Sequence, residues 1–175
     1  MSAFSGPRQS STLAGSYDRA VLRAELRRDE GERLRVYRCT ADKRTIGVGR
    51  NLDDVGISPV ETIRLGITVA TCLARGITST QSMALLDGDI DRAEADLDRH
   101  LPWWRRLDGV RQRVLLNMCF NLGVHGLLGF RNTLGMIERR QFAAASENML
   151  LSKWARQVGT RAQRLSRMMR TGVAA

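Results

Sequence analysis

Nowhere in this chain does a run of apolar residues reach the roughly 18 that a membrane-spanning helix requires. The first sixteen residues are rich in Ser and Gly and carry no apolar core beyond Leu13-Ala14, so they lack the centre of a signal peptide. They read as a disordered leader over 1–16, on a protein made in the cytoplasm without an export signal. Cysteine is scarce: three, an odd number, do not build a disulfide framework, which fits a reducing compartment. Aromatic residues reach only 5%, and no acidic residue follows Glu147. What is present is enough for a sizeable core, since 43% of the 175 residues are hydrophobic. One domain over 17–175, divided into two lobes, is the default for that length.

The stretch that organises the chain runs from Tyr17 to Gly49. Val21, Leu22, Ala24, Leu26 and Arg28 recur at helical spacing up to Asp29, and Gly31 is a natural stop. Leu34 and Val36 then alternate with Arg33, Arg35 and Tyr37, and Ile46 and Val48 alternate with Thr45, Gly47 and Gly49. Two such runs joined by Thr40-Ala41-Asp42-Lys43 predict a β-hairpin. With Asp42 near the tip, Cys39 faces Thr45, Tyr37 faces Gly47 and Val36 faces Val48. Leu34, Val36, Ile46 and Val48 then share one face, and Cys39, Thr45, Gly47 and Gly49 the other. A face floored with glycine admits a ligand close to the backbone. Glu30, at the mouth of the helix, would hang over it. Cys39 lies among Arg38, Lys43 and Arg44, whose charges favour thiolate.

These residues resemble a known family. Glu30, Cys39 and Thr45, separated by eight and five residues, match the catalytic signature of the phage-type lysozymes, in which the second position is Asp or Cys. The resemblance extends over Asp29-Glu30-Gly31, Thr45-Ile46-Gly47-Val48-Gly49, Asn117 to Gly123, Gly129 to Leu134, and Ser152-Lys153-Trp154 with Arg161 beyond. It implies a mostly helical α+β fold of two lobes, and hydrolysis of the β-1,4 bond between N-acetylmuramic acid and N-acetylglucosamine in bacterial peptidoglycan. With no export signal, a phage or prophage endolysin that reaches the wall through a holin-type pore is expected, acting as a monomer. Catalytic roles fall on Glu30, Cys39 and Thr45. Asn121 and Phe130, with Gly47 and Gly49, are expected at the substrate, and Arg161 is expected to pair with Asp29 and Glu30. No metal or cofactor is implied.

The remainder is less patterned. Ser58-Pro59 starts a helix over Val60–Arg75 that ends at Gly76, so 17–58 read as a helix-and-hairpin lobe, 59–76 as a connecting helix and 77–175 as a helical lobe. A helix capped by Thr78 or Ser79 runs to about Leu101, with Asp87, Asp89, Asp91, Glu94, Asp96 and Asp98 on one side. Without the spacing and central glycine of a calcium loop, those carboxylates read as a solvated face. Trp103-Trp104 reads as packing more readily than as a sugar platform. Helices are predicted over Val110–Leu122, Phe142–Ala155 and Thr160–Arg170, and Cys72 and Cys119 read as buried thiols.

Arg161, Arg164, Arg167 and Arg170 recur every three residues in a chain of net charge +10. That stripe suits an anionic partner, such as outer-membrane lipid or nucleic acid, as well as it suits plain solvation. A basic helical protein that binds nucleic acid or cell wall without catalysis is therefore the rival reading. Few aromatics and an unexplained hairpin stand against specific nucleic-acid binding.

The chemistry follows from what glycoside cleavage needs: a proton for the leaving oxygen, and a nucleophile or activated water on the opposite face of the sugar. Glu30 is the carboxyl positioned to be the acid. A Cys39 thiolate would stabilise charge, act as base or attack, and Thr45 would bind the water or hold the second group. Arg50 stands where the best-known relative has His, and Arg cannot serve as a base.

Overall fold

A computed structural model describes residues 16–175, so the leader expected over 1–16 lies, but for its last residue, outside the described residues. Helix α1 (Arg19–Glu30) begins at Asp18, whose carboxylate accepts the Val21 N–H, and stops at Gly31, where φ is 73°. A three-stranded antiparallel sheet follows in the order β1 (Arg33–Arg38), β2 (Arg44–Gly47), β3 (Arg50–Asn51). Two short helices, α2 (Pro59–Leu65) and α3 (Val69–Arg75), lead to the long α4 (Ser79–His100). After a 3₁₀ turn over Pro102–Arg106 come α5 (Gly109–Leu128), α6 (Arg131–Glu138), α7 (Phe142–Leu150), α8 (Lys153–Val158) and α9 (Thr160–Thr171). The expected mostly helical α+β fold is what forms.

The described residues form two cores. The small one gathers Ile46, Leu52, Ile67, Cys72, Ile77 and Leu85, and the large one is built around Trp104, Val114, Leu115, Met118 and Met168. The first lobe was expected to include α1, but Tyr17, Leu22 and Leu26 belong to the large core, and Glu25 is ion-paired with buried Arg113 of α5. The chain therefore changes lobes at the end of α1. That places Glu30 at the seam.

The expected helix over Val60–Arg75 is two helices. Gly66, left-handed at φ 65°, closes α2, and Thr68 opens α3 with a capping box through Thr71. The strut between lobes is α4 instead of residues 59–76: its Leu85 enters the small core, and Leu86, Ile90, Ala93 and Leu97 enter the large one. Likewise the helix expected over Phe142–Ala155 ends at Leu150, because the Ser152 hydroxyl accepts the Ala155 N–H and starts α8.

The hairpin forms with a shifted register. Tyr37 pairs with Thr45 and Arg38 with Arg44, followed by a bulge before Arg33 meets Gly47. The cause is a tighter turn, in which the Cys39 N–H bonds the Lys43 carbonyl and the Asp42 N–H bonds the Cys39 carbonyl. An even slip leaves alternation intact, so Thr45 still falls on the side expected. The bulge does not: Leu34 is exposed, and Val48 joins the large core.

Two charged faces also differ from expectation. The acidic side of α4 is ion-paired, with Asp87 and Asp91 to Arg19, Asp89 to Arg50, and Asp98 to Arg105. Asp98 also accepts the indole N–H of fully buried Trp104, which is a packing residue. On α9, Arg161 and Arg164 bond Asp29 and Glu30, and Arg170 meets Glu147, so only Arg167 of the basic stripe has no ion pair among the described residues. None of the described helices is long and apolar enough to cross a membrane.

Candidate active site

Where the lobes meet there is a cleft of about 630 Å³ whose walls include Glu30, Tyr37, Cys39, Thr45, Gly49 and Asn121. Each arrives for a local reason. Glu30 is the last residue of α1 and is oriented from behind. Arg161 donates from Nη1 to Glu30 Oε1 at 2.6 Å, while its Nε donates to Asn117 Oδ1 and its Nη2 to the Asn117 carbonyl. Asn117 is fully buried and donates in turn to Asp29, which also accepts from Arg164. Asp29 is thus shut away from the cleft, and its neighbour faces it. Glu30 Oε2 has no hydrogen-bond partner among the described residues and lies 3.6 Å from where a Cβ on Gly49 would sit. Gly49 has φ 76°, a conformation that L side chains rarely adopt, so the carboxyl rests against bare backbone.

Cys39 follows β1, partly exposed. Its thiol is held below the ordinary range, first by the backbone N–H groups of Lys43 and Ala41 and then by the Thr45 hydroxyl. The flanking cations, expected to do this, are engaged elsewhere: Arg38 with Asp42, Lys43 with Asp54 and Arg44 with Asp53. The tight turn that moved the register is therefore what tunes the sulfur. Thr45 is buried, and its single hydroxyl hydrogen serves either the Cys39 sulfur or the Lys43 carbonyl 3.1 Å away. Tyr37 lines the same wall, its ring beneath the Arg33 guanidinium. Burial raises its phenol, Arg33 opposes, and the charges of Glu30 and Cys39 add to the rise, so Tyr37 lies within electrostatic reach of both.

Two expected substrate residues lie elsewhere. Gly47 is buried beneath α4, where a Cβ would come within 3.0 Å of the Ser82 hydroxyl; its lack of a side chain serves packing. Phe130 stands edge-on to Trp154, with ring centroids 5.9 Å apart, beside a separate depression. Asn121 does reach the cleft, and Trp154 Nε1 donates to its Oδ1 at 2.8 Å. Cys119 lies in the cleft wall but is buried, and burial pushes its thiol up to about 12, which makes it inert at neutral pH. Among the described residues no group of three or more His, Cys, Asp or Glu could hold a metal ion.

The sequence pattern gave no site role to Asn117, Trp154 or Tyr37, and placed Arg164 only in the basic stripe. Asn117 had a legible signal, an amide inside the apolar run Val114 to Cys119 where helical packing calls for a hydrophobe. Arg164 had none, since its partner Asp29 lies far away along the chain.

Comparison with known proteins adds to this geometry. A family profile described as "Phage lysozyme" matches residues 27–170. The chain is 30% identical over 156 residues to "Probable T4-type lysozyme 1" of Dictyostelium discoideum, covering 84% of this chain and 92% of that one. It is 28% identical over 160 residues to "Probable T4-type lysozyme 2" of the same organism, covering 86% and 94%. The pre-baseplate central spike protein Gp5 of Enterobacteria phage T4 is 31% identical over 156 residues, which are 84% of this chain and 27% of that larger protein.

Proposed function

The chain belongs to the phage lysozyme family, a glycoside hydrolase family, and from that premise we propose that it cleaves the β-1,4 bond between N-acetylmuramic acid and N-acetylglucosamine with Glu30 as general acid and Cys39 as the opposing thiolate. One observation carries the reading. Arg161 holds one oxygen of Glu30, and the other rests on Gly49 in the cleft that Cys39 and Thr45 also line. A carboxyl fixed by one oxygen presents the other in a single direction, toward the leaving glycosidic oxygen of a sugar seated between the lobes.

Catalysis then needs two events. Glu30 passes its proton to the leaving oxygen as the C1–O bond breaks, and charge develops on the sugar as an oxocarbenium-like state. A Cys39 thiolate stabilises that charge. It completes the reaction in one of two balanced ways. As base, it takes a proton from a water whose oxygen bonds C1, and the product is inverted. As nucleophile, it forms an S–C1 bond that water later breaks, with Glu30 taking the water's proton, and the configuration is retained. Thr45 holds the sulfur through its hydroxyl in either case.

The rival of a basic binder without catalysis gives way to the family, which is one of glycoside hydrolases. Of the stripe arginines, Arg161 and Arg164 are taken up by Glu30 and Asp29, and Arg170 pairs with Glu147 at the surface. We place the activity in phage lysis, with a separate pore-forming protein admitting the enzyme to the wall. Bacteria expressing the chain with a pore-former should lyse and those without it should not. For the chemistry, turnover of purified peptidoglycan by Glu30→Gln should fall by about 10²-fold or more. Equal turnover by wild type and Glu30→Gln, or none by either, removes the mechanism.

A further inference from the structure

Cations without acidic partners gather at a second hollow, on the 3₁₀ turn and the end of α6. It measures about 200 Å³, is walled by Trp103, Arg106, Leu107, Glu138 and Arg140, and shares no residue with the cleft. Arg106 and Arg140 are exposed, and neither forms an ion pair among the described residues. Glu138, the one acid in that wall, forms none either. The Arg140 side chain donates from Nη2 to the Arg106 carbonyl at 3.2 Å, which ties α6 to the turn. The Arg106 guanidinium has no hydrogen-bond partner among the described residues. Trp103 is half-buried against the large core. Trp104 gives its N–H to Asp98 and Trp154 gives its own to Asn121, but Trp103 Nε1 has no partner among the described residues.

The backbone at Arg140 adds a second, independent sign. Its N–H bonds the Ile137 carbonyl and the Gln141 N–H bonds the Met136 carbonyl, which closes α6 in the Schellman pattern. Arg140 fills the left-handed position of that pattern at φ 59°, where glycine is the usual residue. A long cationic side chain is thus kept on a strained backbone. Beyond the carbonyl end of α6, nothing among the described residues answers its charge.

We propose that this hollow binds a phosphate group carried on a ring or apolar body, with Arg106 and Arg140 on the phosphate oxygens and the body against Trp103 and Leu107. Guanidinium forks match phosphate oxygens two at a time, and the unpartnered indole N–H is a further donor. The indole and Leu107 give the same hollow an apolar wall, which a bare anion would leave unused. Such a phosphate belongs to a lipid headgroup or to a phosphate ester on a sugar or wall polymer. Bound outside the cleft, it would hold the protein to a phosphate-bearing surface while the cleft stays free. Glu138 opposes the charge of the two arginines and holds the affinity down.

Titration calorimetry with phenyl phosphate and with inorganic phosphate tests the site. Wild type should bind phenyl phosphate about five-fold more tightly, and Trp103→Leu should abolish the difference. Arg106→Gln should weaken phenyl phosphate about ten-fold. Arg140→Gly should weaken it as much while melting no lower than wild type, since glycine suits that backbone. Glu138→Gln should tighten it about two-fold. Arg75→Gln, which removes an exposed arginine of α3 that also lacks an ion pair, should leave it unchanged. Co-sedimentation with phosphatidylglycerol–phosphatidylcholine vesicles then separates the sources. If Arg106→Gln loses more vesicle binding than Arg75→Gln, and phenyl phosphate releases the wild type, the phosphate is a lipid headgroup's. Equal losses on vesicles, with the calorimetry as expected, assign it to a sugar or wall-polymer ester. A wild type that binds no phenyl phosphate overturns the proposal. So does equal weakening of phenyl phosphate by Arg75→Gln and Arg106→Gln, or an Arg140→Gly protein that melts well below wild type.

Discussion

Two buried arginines, Arg50 and Arg161, each bind two carboxylates beside the same cleft, and only one of the clusters has a carboxylate oxygen to spare. Arg50 joins β3 to α2 and α4: Nε meets Asp89, Nη1 and Nη2 meet Glu61, and the fork also reaches the carbonyls of Gly56 and Leu85. Burial alone would raise the Glu61 carboxyl, but Arg50 and the Ser58 backbone N–H overcome it and hold it at about 2. For Asp89 burial wins, and that carboxyl is raised despite Arg50. Arg161 joins α9 to α5 and α1, yet Glu30 keeps Oε2 toward the cleft. The same ingredients thus make a brace in one place and an acid in the other. What separates them is whether every polar atom has been satisfied.

The largest effect that sharpens this contrast is on activity. Arg161→Met should leave Glu30 without its anchor and lower kcat on peptidoglycan by about 10²-fold, measured per folded molecule. Arg50→Met should leave kcat per folded molecule near wild type. If Arg50→Met lost as much activity as Arg161→Met, the two clusters would not differ in kind.

Next in size is stability. Removing Arg50 leaves Glu61 and Asp89 with only the partly exposed Arg92 as a cation, and denaturant unfolding of Arg50→Met should show a loss of about 3 kcal/mol. Thiol chemistry comes third. A small alkylating agent should inactivate the wild type and the Cys72→Ser/Cys119→Ser double variant at the same rate, since those two thiols are buried and Cys39 is not. An active enzyme with modified Cys39 makes the sulfur a bystander.

The smallest effect is in pH. Glu61 is depressed in the fold to about 2 from an ordinary 4.5, so its contribution is complete above about pH 4.5 and is lost as pH falls toward 2. Asp89, shifted the other way, offsets part of this. Glu61→Gln should therefore be less stable than wild type at pH 6, with the gap closing by pH 2. A gap independent of pH contradicts the assignment.

Much of this was readable before the structure. Helix stops at Gly31 and Gly76, the Thr78 cap and the spacing of Glu30, Cys39 and Thr45 are local signals, and local signals survive folding. Others depended on contacts the sequence does not display. The hairpin register turned on two backbone hydrogen bonds around Cys39, and in the same turn the N–H groups of Lys43 and Ala41 replaced cations as the cause of its acidity. The single helix expected over 60–75 is divided by the positive φ of Gly66, which the sequence pattern does not display. In the arginine stripe on α9, the pairing of Arg164 was hidden because its partner Asp29 lies at the other end of the chain.

The central claim is that the acid freed at the seam cuts one particular bond, and the sugar left at the new reducing end tests it most directly. Mass analysis of fragments released from purified peptidoglycan should find N-acetylmuramic acid at every new reducing end with wild type, and almost none released by Glu30→Gln. N-acetylglucosamine at those ends, or equal release by the variant, contradicts it.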